Sequence, residues 1–384
     1  MKTPIYITAL SSISALGSHT QEIWENYKSG KHFITKSKFG KDEAFAAFIP
    51  IKLREKILSL SDSSPALKNL DPTVLYSIYT ARKVIELAGW KKSSNIGINI
   101  GSSRGATQLF ENYVEKFLES GKAEVLSSPS TTLGNISSWV AQDLQSRGPE
   151  ISHSVTCSTG LHAILNGMAW LKAGMAEKFL VGGAEAALTP FTIAQMQAMK
   201  IYAKETGDFP CRALDLDKTA NSMVLGEGAG LLCLEKETSK YIARIMGIGY
   251  ATECLKHPVS ISTNAKCLQR SMKMAIGDLP LNEVDAIVMH APGTIKGDLA
   301  EYNAVKKIFG EKHPALTSNK WQIGHTFGAS GILSLELAIL MLEHQEFIEV
   351  PFSAVSRPPS KLRNILVNAV GFGGNSVSIL VNKS

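Results

Sequence analysis

Short apolar segments alternate with amphipathic segments along the whole chain, and this alternation restricts the possible folds more than any other feature of the sequence. Residues 5–9 have the composition of a buried strand. By contrast, Leu75, Ile78 and Ile85 recur at the spacing of one helix face. Strands and helices that alternate in this way predict an α/β protein in which helices cover a largely parallel sheet.

The same organisation occurs twice along the sequence. A charged run at 235–240 follows a glycine-rich run at 226–230 and a strand-like segment, and the chain ends with a second glycine-rich run, 371–374, and another strand-like segment. This weak internal repeat predicts two similar halves, 1–238 and 239–384.

Cys157 lies where a predicted strand, 151–156, meets a predicted helix that ends at Gly174. Unpaired N–H groups and the dipole at a helix start favour thiolate over thiol, and they lower a cysteine pKa to roughly 3.5 to 7.5. We therefore expect Cys157 to be a nucleophile with a low pKa. The alternative is that it serves as a small buried hydrophobic residue.

Three polar residues of the second half follow predicted strands in turns that contain glycine or proline. His290 ends the strand 286–289, and Lys320 precedes His325, which stands just before an apolar helix at 332–342. Active sites of open α/β sheets lie at the ends of strands. A single histidine at a strand end is more often structural, but the combination with Lys320 and Cys157 predicts a catalytic group.

Composition argues against several other classes of protein. The five cysteines have no paired spacing and form no CxxC motif, so we expect neither a disulfide framework nor a metal site. Free cysteines are typical of a reducing compartment, which favours the cytoplasm. The net charge of +6 arises from basic clusters without interleaved aromatic residues, so no nucleic-acid partner is expected. The apolar segment 332–342 is too short to span a membrane and contains Glu336, while the glycine loop 101–105 fits no nucleotide-binding motif.

The order and spacing of four motifs resemble the β-ketoacyl-[acyl-carrier-protein] synthases of the elongating type, which are condensing enzymes with the thiolase fold. The resemblance runs from the first strand to the last, and the motifs are Cys157-Ser158-Thr159-Gly160-Leu161-His162-Ala163, the glycine run 226–230, Asn319-Lys320 with residues 324–331, and Gly371-Phe372-Gly373-Gly374-Asn375. It implies a thiolase-like five-layered αβαβα sandwich built from two similar halves. It also implies a homodimer, or a heterodimer with a related ketosynthase-like subunit. No cofactor would be bound permanently, since the substrates are carried on the phosphopantetheine of an acyl carrier protein.

The resemblance assigns a role to each candidate residue in the condensation of an acyl group with malonyl-carrier protein. Cys157 would hold the acyl group as a thioester, and the backbone N–H groups of Cys157 and Phe372 would form the oxyanion hole. His290 and His325 would donate hydrogen bonds to the enolate that decarboxylation produces. Lys320 would hold His325 and balance local charge.

The remaining implied roles concern substrate binding and support. Thr294, Phe372 and Gly373 would contact the substrate, and Phe372 would also gate the path between the acyl and malonyl pockets. Glu301 would brace Lys320, although residues 298–301 also fit a capping box at the start of a helix.

Two departures from the family pattern suggest a specialised pathway. Where the family has His-Gly-Thr-Gly-Thr this chain has His290-Ala291-Pro292-Gly293-Thr294, and residues 219–223 replace an Arg-Asp-Gly-Phe-like stretch. Chain elongation for a polyene, an aryl polyene or a polyketide therefore stands beside fatty-acid synthesis.

Alternatives from other classes stay open at this point. They are a non-decarboxylating acyltransferase, a thioesterase-like cysteine enzyme, and the partner subunit of a ketosynthase heterodimer. A cysteine hydrolase would leave Lys320 and His325 unexplained, and the partner subunit typically lacks the nucleophile. A biosynthetic thiolase would use a second cysteine near the C-terminus, whereas the last cysteine here is Cys267.

Overall fold

The structure is a computed structural model that describes residues 4–92, 95–133, 135–204, 207–254 and 261–383. The strands of the first half are β1 (Ile5–Ile13), β2 (Thr35–Phe39), β3 (Asp42–Ala47), β4 (Ile96–Gly101), β5 (Glu150–Ile151), β6 (Lys178–Glu185), β7 (Leu225–Gly226) and β8 (Gly228–Glu235). Its helices are α1 (Thr20–Lys28), α2 (Ile51–Leu58), α3 (Pro72–Leu87), α4 (Thr107–Ser120), α5 (Ser127–Thr131), α6 (Asn135–Leu144), α7 (Thr159–Ala173) and α8 (Pro190–Ala198).

The second half is shorter and repeats the same mixture of elements. Its strands are β9 (Ala243–Thr252), β10 (Ala286–Val288), β11 (Ala315–Thr317), β12 (Asn364–Gly371) and β13 (Asn375–Asn382). Its helices are α9 (Lys266–Ile276), α10 (Ile295–Phe309), α11 (Lys320–Ile323) and α12 (Ser330–His344).

Ten strands from both halves form one sheet, in the order β11-β10-β12-β13-β9-β1-β8-β6-β4-β5. The halves join where β1 pairs antiparallel with β9, with Ile5 opposite Ile245. A separate small sheet has the order β2-β3-β7.

The expectation of a largely parallel sheet is wrong for its centre. Strands β4 and β10, near the two edges, pair parallel with both of their neighbours. All pairs between them are antiparallel, in the order β6-β8-β1-β9-β13-β12. The connection between β12 and β13 explains part of this, because a tight turn through Gly373 (φ 92°) and Gly374 (φ 71°) reverses the chain at once.

Helices lie in three layers with the two parts of the sheet between them. Helices α3 and α6 pack on β1, β4 and β8, and α9 packs on β9 and β13 on the far side. Helices α7 and α12 lie in the middle, because α12 contacts both β6 and β8 of the first half and β10, β12 and β13 of the second. The expected five-layered αβαβα arrangement is confirmed.

The two central helices approach each other closely at their N-terminal ends. A Cβ atom at Gly160 would lie 2.7 Å from Cγ1 of Ile332, and one at Gly331 would lie 2.6 Å from Cγ of Leu161. Only glycine leaves room for this contact. It sets the start of α7, which follows Cys157, against the start of α12, which follows His325.

Helix α12 is buried from Ser330 to Leu342, as expected for the apolar segment. Within the described part of the chain, one helical segment, Phe327–His344, has the length and apolar composition of a membrane span, and 89% of it is buried inside the protein.

The predicted strand before Cys157 is shorter than expected. Strand β5 comprises only Glu150 and Ile151, and it lies at the outer edge of the sheet, paired on one side with β4. Residues 152–156 leave the sheet and form an irregular turn in which Thr156 has φ 49°.

Helix α12 carries a buried carboxylate that we expect to oppose folding at alkaline pH. Ser12 Oγ donates to Glu336 Oε1 at 2.5 Å, while Oε2 is buried and has no hydrogen-bond partner in the part of the chain that the structure describes. Burial raises the pKa of Glu336 to about 7. The folded state therefore binds this proton more tightly than the unfolded state, and stability is lost as pH rises from about 4.3 to 7.

We expect Glu336→Gln to raise the free energy of unfolding by up to about 3 kcal/mol at pH 8 and by less than about 1 kcal/mol at pH 5. Urea unfolding at both pH values measures the difference, and Glu346→Gln, an exposed position just beyond the same helix, is the matched control. An equal effect of Glu336→Gln at the two pH values would show that the carboxyl group is not responsible.

Candidate active site

Cys157 stands immediately before helix α7, with 6% of its surface exposed. Thr159 Oγ1 accepts a hydrogen bond from the backbone N–H of Val155 at 2.8 Å and donates to the carbonyl oxygen of Thr156 at 2.6 Å. These two bonds close the turn around the thiol and fix its direction.

The expected low pKa of Cys157 is wrong for the resting protein. Burial, followed by the charge of Glu185, raises the pKa of this thiol to about 12, although Lys320 and two backbone N–H groups act in the opposite direction. The helix start was the correct location, but the sequence does not show how deeply the sulfur is buried. Cys157 is therefore a thiol at neutral pH, and its proton must leave as it reacts.

The two N–H groups that lower the pKa of the Cys157 thiol belong to Cys157 itself and to Phe372. Both N–H groups therefore lie close to the sulfur, on the part of the site where the thioester carbonyl would be attacked. Thr156 Oγ1 donates to the carbonyl oxygen of Phe372 at 3.3 Å and ties the turn after β12 to the nucleophile turn. The Phe372 side chain is 37% exposed, and Gly373 follows it with φ 92°.

His290 follows β10, and His325 lies between α11 and α12. The two rings meet edge to face, with ring centroids 5.2 Å apart and an interplanar angle of 83°. Both are buried. Burial, Lys320 and His325 lower the pKa of His290 well below its usual value, and burial together with Lys320 lowers the pKa of His325 to about 3. Both rings are therefore neutral at physiological pH.

One hydrogen bond fixes the tautomer of His325. The backbone N–H of Phe327 donates to His325 Nδ1 at 2.9 Å. Because Nδ1 accepts, the single proton of the neutral ring resides on Nε2. His325 thus presents an N–H donor on the side away from its own turn.

Lys320 is 1% exposed, and its Nζ makes no hydrogen bond with any described residue. Burial lowers the pKa of Lys320 to about 8. Nearby acidic groups, of which Glu301 has the largest effect and Cys157 a smaller one, act in the opposite direction and raise it. Lys320 makes no hydrogen bond to His325, so its influence on that ring is electrostatic.

The capping-box interpretation of Glu301 is wrong. Helix α10 begins earlier than expected, and its N-cap is Thr294, whose side chain accepts from the backbone N–H of Gly297 at 3.1 Å. Glu301 instead accepts from the backbone N–H groups of His290 at 3.0 Å and Ala291 at 2.8 Å. It therefore holds the turn that carries His290 and also lies in the electrostatic range of Lys320.

Three non-glycine residues with positive φ surround these side chains: Thr156 at 49°, Ala291 at 25° and Phe327 at 44°. Each lies within two positions of Cys157 or of one of the two histidines. Such backbone strain persists only where surrounding contacts enforce it, and it is concentrated at functional sites. For Ala291 the enforcing contact is the bond to Glu301.

No motif in the sequence predicts a role for Glu185, which the structure places among the loops around Cys157. Its carboxylate accepts from Ser102 Oγ and from the backbone N–H groups of Ser103, Arg104 and Gly328, and burial raises its pKa to about 7. The only signal was its position after two glycines at the end of a strand. Hydrogen bonds that span from 81 to 143 positions leave no local pattern.

The raised pKa of Cys157 predicts slow alkylation at neutral pH. Because the thiolate is the reactive form, the rate of Cys157 capture by iodoacetamide should rise about tenfold per pH unit from pH 7 to 10, without a plateau. Peptide mass mapping measures it, with the exposed Cys254 as an internal control. A plateau below pH 8 would mean that the helix start outweighs burial after all.

Comparison with known proteins identifies relatives along nearly the whole chain. The family model "Beta-ketoacyl synthase, N-terminal domain" matches residues 2–240, and "Beta-ketoacyl synthase, C-terminal domain" matches residues 242–351. Two proteins named 3-oxoacyl-[acyl-carrier-protein] synthase 2 align with 100% of this chain and 99% of their own length. The protein from Coxiella burnetii is 24% identical and the protein from Vibrio cholerae is 26% identical.

Solved structures share the fold at lower sequence identity. The ishigamide ketosynthase/chain length factor superposes with a TM-score of 0.87 at 20% identity, covering 100% of both chains. The ketosynthase ApeO in complex with its chain length factor ApeC from Xenorhabdus doucetiae gives a TM-score of 0.81 at 21% identity, covering 100% of this chain and 98% of that chain.

Proposed function

Because the chain belongs to the beta-ketoacyl synthase family, we propose that it condenses an acyl group held on Cys157 with malonyl-acyl carrier protein, with loss of carbon dioxide. One observation carries the proposal: His290 and His325 are buried and neutral, and their ring centroids lie 5.2 Å apart. They share a buried centre with Cys157, whose thiol stands at the start of helix α7. The halves 1–238 and 239–384 each supply part of this centre. The first contributes Cys157, and the second contributes the histidines and Lys320.

The first step transfers the acyl group to the protein. The Cys157 sulfur attacks the thioester carbonyl of acyl-carrier protein, and the N–H groups of Cys157 and Phe372 stabilise the charge on its oxygen. The C–S bond to phosphopantetheine then breaks. The proton that the Cys157 thiol gives up leaves with the pantetheine thiol, so this step neither consumes nor releases protons.

The second step joins the two carbon chains. The malonyl carboxylate leaves as carbon dioxide, and the electron pair of the broken C–C bond forms an enolate whose oxygen accepts from the N–H groups of His290 and His325. The enolate carbon attacks the acyl thioester on Cys157. The sulfur leaves as a thiolate and takes up one proton from solvent, which restores the thiol.

Other residues support these steps. Lys320 supplies a positive charge near the thiolate that forms in the second step. Glu301 keeps the His290 turn in place. We assign Thr294, Phe372 and Gly373 to contacts with the phosphopantetheine arm, and the half-exposed Phe372 side chain to gating. The Thr294 oxygen accepts from Gly297, but its hydroxyl proton is free to donate to the arm.

The acyl carrier protein would bind beside a cleft of about 300 Å³ that both basic and acidic residues line. Lys204 and Arg212 line it, and Arg212 forms an ion pair with Asp215 of the same cleft. Ser222 in the same cleft donates to the carbonyl oxygen of Gly293 at 2.9 Å, which connects the cleft to the turn after His290. Carrier proteins are acidic, so the exposed Lys204 would favour encounter close to the active site.

Intact-mass spectrometry of the protein tests the proposed function. Incubation with acyl-carrier protein should add one acyl group, and subsequent malonyl-carrier protein should remove it and release a carrier-bound product longer by two carbons. Loss of the acyl group to water alone would instead favour the thioesterase-like alternative. No acylation by any carrier substrate would favour a partner subunit without activity of its own.

The surface of helix α4 supports the proposed dimer. Phe110 (58% exposed), Val114 (40%), Phe117 (49%) and Leu118 (77%) form one apolar stripe at helical spacing. An apolar stripe of this size is typical of a protein interface. A second copy of the chain or a related subunit would cover it.

We expect Leu118→Glu combined with Phe117→Glu to convert the dimer into monomers, because two charges would be buried unpaired in an apolar interface. Light scattering at micromolar concentration measures the mass. Asn112→Glu places one carboxylate on the same helix away from the stripe and should remain dimeric. A wild-type monomer with full activity would refute the dimer.

A further inference from the structure

An apolar cluster contains Cys157, and a cationic side chain packs against it. The members that matter here are Ile193 and Met196 of α8 and Phe327, which lies two positions after His325. An acyl group bound to Cys157 would contact this cluster. The cation is Arg104, in the loop between β4 and α4.

Arg104 is held in place from three directions. Its backbone N–H donates to Glu185 Oε1 at 3.1 Å, and its Nη2 donates to Gln195 Oε1 at 2.6 Å. The guanidinium carbon lies 5.8 Å from the ring centroid of Phe327. The charged group is thus fixed between α8 and a residue of the cluster around Cys157.

One buried donor of this guanidinium has no acceptor among the described residues. Arg104 Nε is buried from solvent and has no hydrogen-bond partner among the described residues. A buried donor without an acceptor is costly, and native proteins seldom retain one without a functional reason. An acceptor brought by a ligand would remove this cost.

We propose that Arg104 makes the acyl pocket select acyl groups that carry a carbonyl or hydroxyl oxygen over saturated alkyl groups of the same length. This inference rests on the proposed function and names the substrate class of that same site. An oxygen on the bound chain accepts from the Nε–H of Arg104, whereas a saturated chain leaves this donor unpaired. The acyl chains would therefore come from a reaction that retains oxygen on the growing chain.

Pantetheine thioesters of equal length test the selection. The probes are octanoyl, 5-oxooctanoyl and 7-oxooctanoyl pantetheine, and initial rates of Cys157 acylation are measured by intact mass. We expect the wild-type protein to favour at least one of the two oxo thioesters by about tenfold or more in kcat/KM, the range of a hydrogen bond from a charged donor. Arg104→Met should abolish the preference and raise the rate with octanoyl pantetheine.

Two further variants separate selection from structural damage. Arg104→Lys retains the charge but lacks Nε, so it should fold and lose the preference for oxygen. Arg147→Met removes an exposed arginine elsewhere and should leave the preference unchanged.

The outcomes separate failure of the Arg104 inference from failure of the proposed condensing activity. Acylation of the wild-type protein by all three probes at equal rates, or an unchanged preference in Arg104→Met and Arg104→Lys, would overturn the role of Arg104 and leave the proposed function intact. Failure of Cys157 to be acylated by any probe or by acyl-carrier protein would overturn both.

Discussion

Replacement of Cys157 by alanine should lower acylation of the protein by at least about 10³-fold, because loss of the nucleophile removes covalent catalysis altogether. No neighbouring group substitutes for it. Cys211 also lies in this region, since it acts electrostatically on Lys320, but it is fully buried, whereas Cys157 is 6% exposed. The structural cost is small, since losing one buried sulfur atom destabilises the fold by about 1 kcal/mol.

Intact mass after incubation with acyl-carrier protein measures this loss, and thermal unfolding verifies that the variant is folded. Two matched controls remove other cysteines: Cys254→Ala at an exposed position and Cys211→Ala at a buried position near Lys320. Both should remain acylated. An acyl group on the Cys157→Ala protein at the wild-type rate would assign the nucleophile to another residue.

The fold was predictable because its signals are local. The caps and periodicity of α3, the apolar composition of α12 and the glycine turn after β12 each predict an element from neighbouring residues alone. The direction of the central strands was not predictable in this way. Strand pairing between β1 and β9 joins segments more than 230 positions apart, and a sheet edge such as β5 is recognised only once its neighbours are known.

The candidate site shows the same division between local and distant signals. Cys157, His290, Lys320 and His325 stand in motifs that the sequence displays, and the structure places them around one buried centre. Their ionisation was not predictable, because burial sets it. Burial raises the pKa of Cys157 to about 12 where the helix start alone predicts a low value.

Contacts that support the site were the least visible in the sequence. A local pattern favoured Glu301 as part of a capping box, whereas its carboxylate binds the backbone of a turn in front of the helix. The turn needs this support because Ala291 occupies a positive-φ position where the family has glycine. The alanine at position 291 and the hydrogen bond from its N–H to Glu301 therefore explain each other.

Replacement of either His290 or His325 by alanine should lower malonyl decarboxylation by about 10² to 10³-fold, the usual cost of removing one hydrogen-bond donor from a developing oxyanion. Self-acylation of Cys157 should fall by much less, because its oxyanion is assigned to the backbone N–H groups of Cys157 and Phe372. Release of labelled carbon dioxide from malonyl-carrier protein measures the first reaction, and intact mass measures the second. His19→Ala, an exposed histidine far along the chain, is the control.

The ionisation of the histidines adds a pH criterion to the same experiment. Burial and the nearby Lys320 lower the pKa of His325 to about 3 and that of His290 well below its usual value, so neither ring gains a proton between pH 6 and 8. Wild-type decarboxylation should therefore show no inflection near pH 6.5 that depends on either histidine. An inflection at pH 7 to 8 that persists in both alanine variants would belong to Glu185 or Lys320, whose pKa values are about 7 and about 8. The N–H of Phe327 already occupies Nδ1 of His325, so the free Nε2–H is present throughout this range. An inflection near pH 6.5 that disappears in His325→Ala, or equal loss of acylation and decarboxylation in both alanine variants, would contradict the assignment of two neutral donors to the enolate.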